Sequence, residues 1–256
     1  MDRSAFQQFA ALDQHHWWFI GRRQLYVALL HKALSSEDME EDPSTRQILD
    51  VGCGVGGFLK PLAQFGSVAG LEVDEPCARE CQSRGYRTAL AGESESLPIR
   101  TTSQDLITLF DVLEHTQDDR AMLCDAFRCL KPGGLLAVSV PAYPWLYATN
   151  DRIAHHYRRY NRKDLEVKLK ESGFEVSRTT YVNVVLAPVI VPIVMLVKLK
   201  EQIFPSRNTT RTNLSWPVPP FLNRLLAKIF AGERHLLGHR NAPWGHSVFA
   251  IARKRA

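Results

Sequence analysis

A glycine-rich loop follows the first strongly apolar segment of the chain, and its residue types suit the binding of a ligand. It runs from Asp50 to Gly57 and reads DVGCGVGG. Gly52, Gly54 and Gly56 give the spacing GxGxG, while Gly57 as the third glycine gives GxGxxG. Such a loop needs glycines because its backbone must turn tightly and come close to a ligand. The glycines alone leave a dinucleotide, another nucleotide-type cofactor and a purely structural turn open.

Two carboxylates flank this loop. Glu72 ends the second predicted strand, where a carboxylate would hold ribose hydroxyls, and it suits several cofactors equally. Asp50 distinguishes between these cofactors. A carboxylate just before the first glycine repels a pyrophosphate bound at the following helix N-terminus. S-adenosylmethionine (SAM) carries no phosphate, and its sulfonium and ammonium groups are both positive. Asp50 therefore favours SAM over NAD as the ligand.

Two histidines follow later strands at the edge of the sheet where ligands bind. His115 comes after the fourth predicted strand, and His156 comes after the fifth. Methyl transfer requires proximity and alignment, and a hydroxyl acceptor also requires a base. We expect one of these imidazoles to be that general base. A structural hydrogen bond is the alternative role for each of them.

The loop that contains His156 also contains Arg158, Arg159 and Tyr160. An arginine pair binds a phosphate or a carboxylate with bidentate geometry, so the loop predicts substrate-binding residues for an anionic group. The alternative is a solvated or helix-capping pair of arginines.

The surrounding pattern alternates strand, loop and helix. Apolar segments predict strands at residues 47–51, 68–73, 86–90, 106–110, 134–140, 174–181 and 246–252. Helical spacing predicts helices at residues 1–34 (with a break near Gly21), 57–65, 75–84, 118–130, 162–172 and 221–230. Alternation of this kind predicts an α/β fold with parallel strands and crossover helices on both faces of the sheet.

This pattern divides the chain into three parts. Residues 1–45 are predicted to form an N-terminal helical cap and an acidic linker. Residues 46–182 together with 246–256 form the sheet domain. Residues 183–245 form a helical insertion before the last strand.

The insertion begins with the apolar stretch VNVVLAPVIVPIVMLV at residues 182–197, followed by Lys198 and Lys200. The stretch is shorter than a membrane span, and Pro188 and Pro192 interrupt it. We expect a buried segment, or an apolar surface through residues 182–200 that makes peripheral contact with a membrane or contacts a partner subunit.

The charge and the cysteine content of the chain bear on its binding partners and its location in the cell. The 256 residues carry a formal net charge of +5, without a block of basic residues interleaved with aromatics. No nucleic-acid partner is therefore expected. The five cysteines form no CxxC pair, which predicts free thiols and a cytoplasmic protein, membrane-associated if the apolar stretch meets lipid.

Five segments in order resemble the motif series of class I SAM-dependent methyltransferases: ILDVGCGVGGFL (48–59), GLEVD (70–74), AGESESLPI (91–99), DLITLFDVLEH (105–115) and LKPGGLLAVSVP (130–141). The resemblance implies a Rossmann-like, doubly wound, seven-stranded sheet whose last strand is antiparallel. It also implies that eight residues bind the cofactor, near the methionine, ribose and adenine parts of SAM and beside the transferred methyl group. They are Asp50, Gly52, Gly54, Gly56, Glu72, Glu93, Ser94 and Phe110. Asp111 would flank the site of transfer as a catalytic residue.

Three further segments are similar to a bacterial subgroup of these enzymes with diverse substrates: HHWWFIGRR (15–23), HHYRRYNRKDL (155–165) and ERHLLGHRNAPWGHSVFAIARK (233–254). Trp17 in the first is a candidate substrate-binding lid residue, with ordinary packing as the alternative. The segment after strand four lacks the Asn/Asp-Pro-Pro-aromatic motif, which argues against methylation of DNA bases or protein glutamine.

A divalent metal is a further hypothesis at the transfer site. Asp111, Glu114 and His115, together with His155 or His156, are similar to the carboxylate and imidazole ligands of some small-molecule and RNA 2′-O-methyltransferases. Helix capping by the carboxylates is the alternative, and we assign no metal ligands on the sequence alone.

The sequence thus predicts a SAM-dependent methyltransferase acting on a small-molecule or lipid-linked acceptor. Two alternatives remain open at this point. One is an NAD-dependent oxidoreductase that uses the same glycine loop, and the other is a non-catalytic SAM-binding protein that associates with a membrane as a partner subunit.

Overall fold

The computed structural model describes residues 10–36, 42–90, 96–203 and 217–255. Seven strands form one sheet: β1 Gln47–Val51, β2 Ser67–Glu72, β3 Thr88–Leu90, β4 Gln104–Phe110, β5 Leu130–Pro141, β6 Phe174–Val182 and β7 Ser247–Lys254. Their order is β3-β2-β1-β4-β5-β7-β6. The first five strands pair in parallel, and β7 is antiparallel to both β5 and β6. The predicted Rossmann-like sheet with an antiparallel last strand is confirmed.

Helices and short helical turns connect these strands. The helices are α1 Trp17–Ser36, α2 Leu59–Leu62, α3 Glu75–Ser83, α4 Asp119–Cys129, α5 Thr149–Ile153, α6 Arg162–Glu171, α7 Ala187–Ile203 and α8 Pro220–Leu237. Short 3₁₀ turns span Pro43–Thr45, Leu113–His115 and Pro144–Leu146. The carboxylates of Asp74 and Asp118 cap the N-termini of α3 and α4 by accepting backbone N–H groups.

The central strands of the sheet are buried on both faces, and this is why they are nearly continuous apolar runs. Every residue of β4 from Asp105 to Phe110 is buried, as is every residue of β1 after Gln47. The carboxyl ends of β1, β2, β4, β5 and β6 lie at one edge of the sheet, because β6 is antiparallel to β7 as β5 is. The loops that follow these strands therefore meet at that edge.

Two predicted helices differ from the observed ones near glycines. The expected break at Gly21 is wrong, because α1 continues through it. The missing side chain serves contact between helices: a Cβ at Gly21 would lie 2.7 Å from Cβ of Phe230 on α8. The helix after the glycine loop starts at Leu59, later than expected, because Gly56 has a φ of +84° and continues the turn.

Helix α1 packs against both the sheet and α8. The backbone N–H of Trp17 donates to Oδ1 of Asn223 over 2.8 Å, and Nδ2 of Asn223 donates to the carbonyl of His15 over 2.7 Å. Tyr26 on the other side of α1 is buried against the rings of Phe58 and Phe249. The N-terminal helix and the last helix of the insertion therefore form one layer over the sheet.

The N-terminal end of helix α7 is buried, and the rest of the helix has exposed apolar side chains. Leu186 and Ala187 at its start are buried, whereas Val189 is 62% exposed and Leu196 is 66% exposed. Nζ of Lys198 donates to the carbonyl of Trp145 over 2.8 Å, and this contact places the helix beside the turn that follows β5. Across the described ranges, no helix combines the length and the apolar character needed to cross a bilayer.

Candidate functional site

The glycine loop has the backbone that its sequence predicts. Gly52, Gly54 and Gly56 have φ angles of +67°, +56° and +84°, which glycine adopts at least cost. A Cβ at Gly52 would lie 2.6 Å from Cγ2 of Val112, so this glycine permits a close contact within the protein. A Cβ at Gly54 would meet no atom within 4 Å among the described residues, so its backbone borders open space. The loop therefore presents accessible backbone at Gly54.

Glu72 organises the loop. One carboxylate oxygen accepts the backbone N–H of Gly54 over 2.6 Å, and the other accepts those of Val73 and Asp74 over 2.9 and 3.0 Å. Burial raises the pKa of Glu72 above its usual range, and these hydrogen bonds oppose that rise. A carboxylate has about four lone-pair sites, so acceptor capacity remains for a hydroxyl.

Asp50 is a buried carboxylate at the end of β1. Its side chain accepts the hydroxyl of Thr108 over 2.5 Å, and the residue is only 3% exposed. Burial raises the pKa of Asp50 to about 7, against the opposing influence of the Thr108 hydroxyl and the Arg22 charge. A bound cation would favour the ionised form of such a carboxylate.

Asp111 lies where β4 ends, in a left-handed conformation with a φ of +58°. Its carboxylate accepts the hydroxyl of Ser139 over 3.0 Å and pairs with Nη1 of Arg22. The Arg22 guanidinium is buried and lies 4.3 Å from the centre of the Trp18 ring. Arg22 therefore brings α1 over the sheet edge, a role that our sequence analysis did not assign. The only sequence signal was its place in the HHWWFIGRR segment.

His115 and His156 meet at the same edge. Their ring centroids are 4.6 Å apart and the rings are nearly perpendicular. Burial and the neighbouring His156 lower the pKa of His115 to about 3, so its imidazole is neutral at physiological pH. Nδ1 of His156 donates to Oδ1 of Asp151 over 2.8 Å. The two imidazoles thus form one pair, and its orientation is fixed by Asp151.

Asp151 is a site residue that our sequence analysis did not identify. It is buried and also accepts Nε of Arg159 over 2.8 Å. Burial alone would raise the pKa of Asp151, but the hydrogen bonds from His156 and Arg159 lower it to about 2. The available signal was the spacing DxxxxHxxR between residues 151 and 159, which places the three groups within nine residues of the chain.

Glu114 precedes His115 in the short 3₁₀ turn Leu113–His115 that follows β4. It is 1% exposed, and its Oε2 has no hydrogen-bond partner within the part of the chain that the structure describes. Burial and the nearby Asp111 raise the pKa of Glu114 well above its usual range. One ligand atom from each of Glu114, His115 and His156 lies within 4.8 Å of the others.

The substrate-binding residues expected after β5 have partners inside the protein. Arg159 is buried against Asp151, and its Nη1 also donates to the carbonyl of Ala142. Arg158 donates to the carbonyl of Gln117 over 2.6 Å and pairs with Asp119. This geometry corrects the expectation that both guanidinium groups are available for an anionic substrate group, because each already neutralises a carboxylate.

The side chains of Tyr160 and Trp17, also expected to bind substrate, contact other residues of the protein. The Tyr160 hydroxyl is buried and donates to Oδ2 of Asp119 over 2.8 Å, so it does not line an open site. Trp17 packs edge-on against Phe230 with ring centroids 6.4 Å apart. Trp18 instead stacks over the guanidinium of Arg22, which pairs with Asp111 where β4 ends.

Phe110 is buried among the aromatic rings of the core, 4.6 Å from the ring centre of Phe58. Its backbone ends β4 beside Asp111, as expected. Glu93 and Ser94, the two residues expected near the adenine, lie outside the described residues.

The comparisons with known proteins agree with this architecture. The profile of a family described as Methyltransferase domain matches residues 18–179, well over half of the chain. A curated protein of Mycolicibacterium smegmatis, named "Probable S-adenosylmethionine-dependent methyltransferase", is 29% identical over 172 residues, which are 66% of this chain and 63% of that protein. The match thus spans less than two thirds of that relative's length.

Two other similarities are more distant. A ubiquinone biosynthesis O-methyltransferase of Xanthomonas oryzae is 25% identical over 177 residues, covering 62% of this chain and 74% of that one. The crystal structure of a SAM-dependent methyltransferase from Thermotoga maritima has the same fold, with a TM-score of 0.57, 18% identity and 98% of both chains covered. The glycine loop, the strand order and the family match agree, and the oxidoreductase alternative finds no support. The chain belongs to the methyltransferase-domain family.

Proposed function

We propose that this enzyme transfers the methyl group of SAM to a hydroxyl oxygen of a small-molecule or lipid-linked acceptor. The observation that carries this proposal is the imidazole pair of His115 and His156, held by Asp151 at the edge of the sheet where the carboxyl ends of the parallel strands lie. An oxygen acceptor needs a group that assists loss of its proton, whereas an already nucleophilic amine needs alignment alone.

The residues of the glycine loop fit SAM. The open space at Gly54 permits close approach of a ligand to the backbone, and the Asp50 carboxylate supplies negative charge for a cationic group. Glu72 retains acceptor capacity for the ribose hydroxyls. When bound, SAM supplies a methyl carbon activated by a sulfonium. The protein residues align the acceptor, exclude water and accept a proton.

His156 is the better placed of the two imidazoles to accept that proton. Its Nδ1 donates to Asp151, which leaves Nε2 as the acceptor atom and stabilises the imidazolium that would form. The pKa of His115 is lowered to about 3, so this imidazole is a much weaker base. We therefore propose His156 as the general base and His115 as the neutral group that fixes its ring.

The exposed face of α7 supports a lipid-linked acceptor or a membrane-bound one. Val189, Ile193 and Leu196 are exposed on this helix, and no acidic residue occurs between Glu175 and Glu201. Apolar side chains next to lysines favour the surface of an anionic membrane. Flotation with anionic phospholipid vesicles tests this part, and complete recovery in the unbound fraction would contradict it.

Transfer of tritium from labelled SAM to a panel of phenols, quinols and extracted lipids tests the activity. We expect one acceptor class to be labelled, and we expect His156→Ala to lower kcat on it by about 10²–10⁴-fold without weakening SAM binding.

His239→Ala is the matched control, because this histidine is exposed and far along the chain from the site. Equal rates for His156→Ala and the wild type would contradict the general-base assignment. Absence of labelling in every fraction, by a protein that binds SAM, would contradict the activity itself.

A further inference from the structure

We infer that Glu114, His115 and His156 bind one divalent transition-metal ion in the acceptor part of the site. One ligand atom of each residue lies within 4.8 Å of the other two. The inference rests on the proposed function only for the role of the ion, since the three side chains define the site by themselves.

The first supporting observation is the unpartnered carboxylate oxygen of Glu114. This side chain is 1% exposed, and its Oε2 accepts no hydrogen bond from any described residue. Leaving a buried polar atom without a partner costs on the order of 1–3 kcal/mol, more if it is charged. A cation bound at Oε2 removes that cost, and a structural role for Glu114 does not explain the orphaned atom.

The second observation is that both histidines already use one ring nitrogen. Nδ1 of His156 donates to the Asp151 carboxylate over 2.8 Å, and one ring nitrogen of His115 bonds the backbone of Ala154. Metal-binding histidines nearly always donate their second N–H to a carboxylate or a backbone carbonyl, because this fixes the tautomer and aims the free nitrogen. Both histidines of the cluster meet this condition.

The ligand set indicates the class of ion. Two imidazoles and one carboxylate suit Zn²⁺ and similar transition-metal ions, whereas Mg²⁺ prefers oxygen ligands. Ligands about 2.1 Å from a tetrahedral ion are about 3.4 Å apart, so small side-chain rotations would complete the site. Three protein ligands leave a fourth position open, which is the arrangement of a catalytic ion.

Asp111 is not part of this set, although the sequence suggested it. Its carboxylate is neutralised by Arg22 and accepts the hydroxyl of Ser139. His155 is likewise absent from the cluster. Among the carboxylates expected in the sequence hypothesis, only Glu114 keeps a free oxygen atom.

The open position suits the acceptor hydroxyl. Coordination would lower the pKa of a bound hydroxyl group, so the hydroxyl oxygen would lose its proton to solvent at neutral pH and remain as an alkoxide or phenolate. Nε2 of His156 cannot hold the ion and accept a proton at once. In the metal-bound enzyme the ion therefore replaces His156 as the group that activates the acceptor.

The test is a titration of chelator-treated, dialysed full-length protein with Zn²⁺ and with Co²⁺. We expect one ion per chain by elemental analysis, a visible Co²⁺ absorption band typical of imidazole ligation and a rise in Tm. Glu114→Gln and His115→Gln should each weaken binding by more than tenfold, because each removes a ligand. His239→Ala is the control and should bind like the wild type.

Binding of the wild type no tighter than that of the Glu114→Gln, His115→Gln double variant would overturn the inference. The wild-type titration and its Tm shift decide the question if a variant fails to fold. Full methyl transfer by protein shown to hold no ion would contradict the role of the ion in activating the acceptor and leave the proposed function intact. One bound ion without methyl transfer would support the inference and contradict the proposed function.

Discussion

At the scale of single residues, the site depends on carboxylates whose surroundings differ. Asp50 is buried next to a hydroxyl, and its pKa is raised to about 7. Asp151 is equally buried, yet two charge-assisted hydrogen bonds lower its pKa to about 2. The two aspartates therefore serve different purposes. Asp50 is a partner for a cation whose charge depends on pH, whereas Asp151 stays charged and holds His156.

The raised pKa of Asp50 predicts that SAM binding depends on pH. A cation binds the ionised carboxylate better, and the ionised fraction rises as pH increases through 7. The affinity for SAM should therefore increase roughly eightfold between pH 6.0 and 7.5, below the usual titration of the SAM α-amino group. Asp50→Asn should bind SAM more weakly and lose this dependence. Calorimetry measures both effects, with the exposed Asp42→Asn as the control.

At the scale of elements, the contact between α1 and α8 closes the layer above the sheet. It depends on Gly21, which the sequence suggested as a helix break. A glycine in a helix costs about 1 kcal/mol relative to alanine, so its presence needs a packing reason. The short approach to Phe230 is that reason.

This contact predicts opposite effects for two glycine substitutions. Gly21→Ala should lower the free energy of unfolding by about 1–3 kcal/mol, because its Cβ would overlap Phe230. Gly232→Ala should raise it by about 0.5–1 kcal/mol, because a Cβ there meets no described atom within 4 Å and alanine favours a helix. Urea unfolding of both variants measures the difference. Equal stabilisation by the two alanines would show that α1 does not pack on Phe230.

At the scale of the whole molecule, local patterns predicted the sheet better than the site. The central strands were predictable because they are buried apolar runs, and the motif series implied the antiparallel β7. The division into cap, sheet domain and insertion remains a proposal. The pairing of α1 with α8 joins residues about 200 positions apart, and neither helix indicates its partner by its own spacing.

Only part of the site was predictable, again because contacts between distant residues leave no local sequence pattern. His115 and His156 were predictable as neighbours, because both follow strands at one sheet edge. The partners of Arg158 and Arg159 were not, because Asp119 and Asp151 also lie in helices or loops whose side-chain directions depend on tertiary packing. Arg22 was missed because its ion pair with Asp111 spans the cap and the sheet.

Calorimetric titration of the wild-type protein with SAM and with NAD tests most directly the central claim, that the loop from Asp50 to Gly57 binds a cationic cofactor for methyl transfer. The account predicts one SAM bound per chain, with an affinity that increases from pH 6.0 to 7.5, and no measurable binding of NAD. Tighter binding of NAD than of SAM, or a SAM affinity that is the same in Asp50→Asn and the wild type, would contradict it.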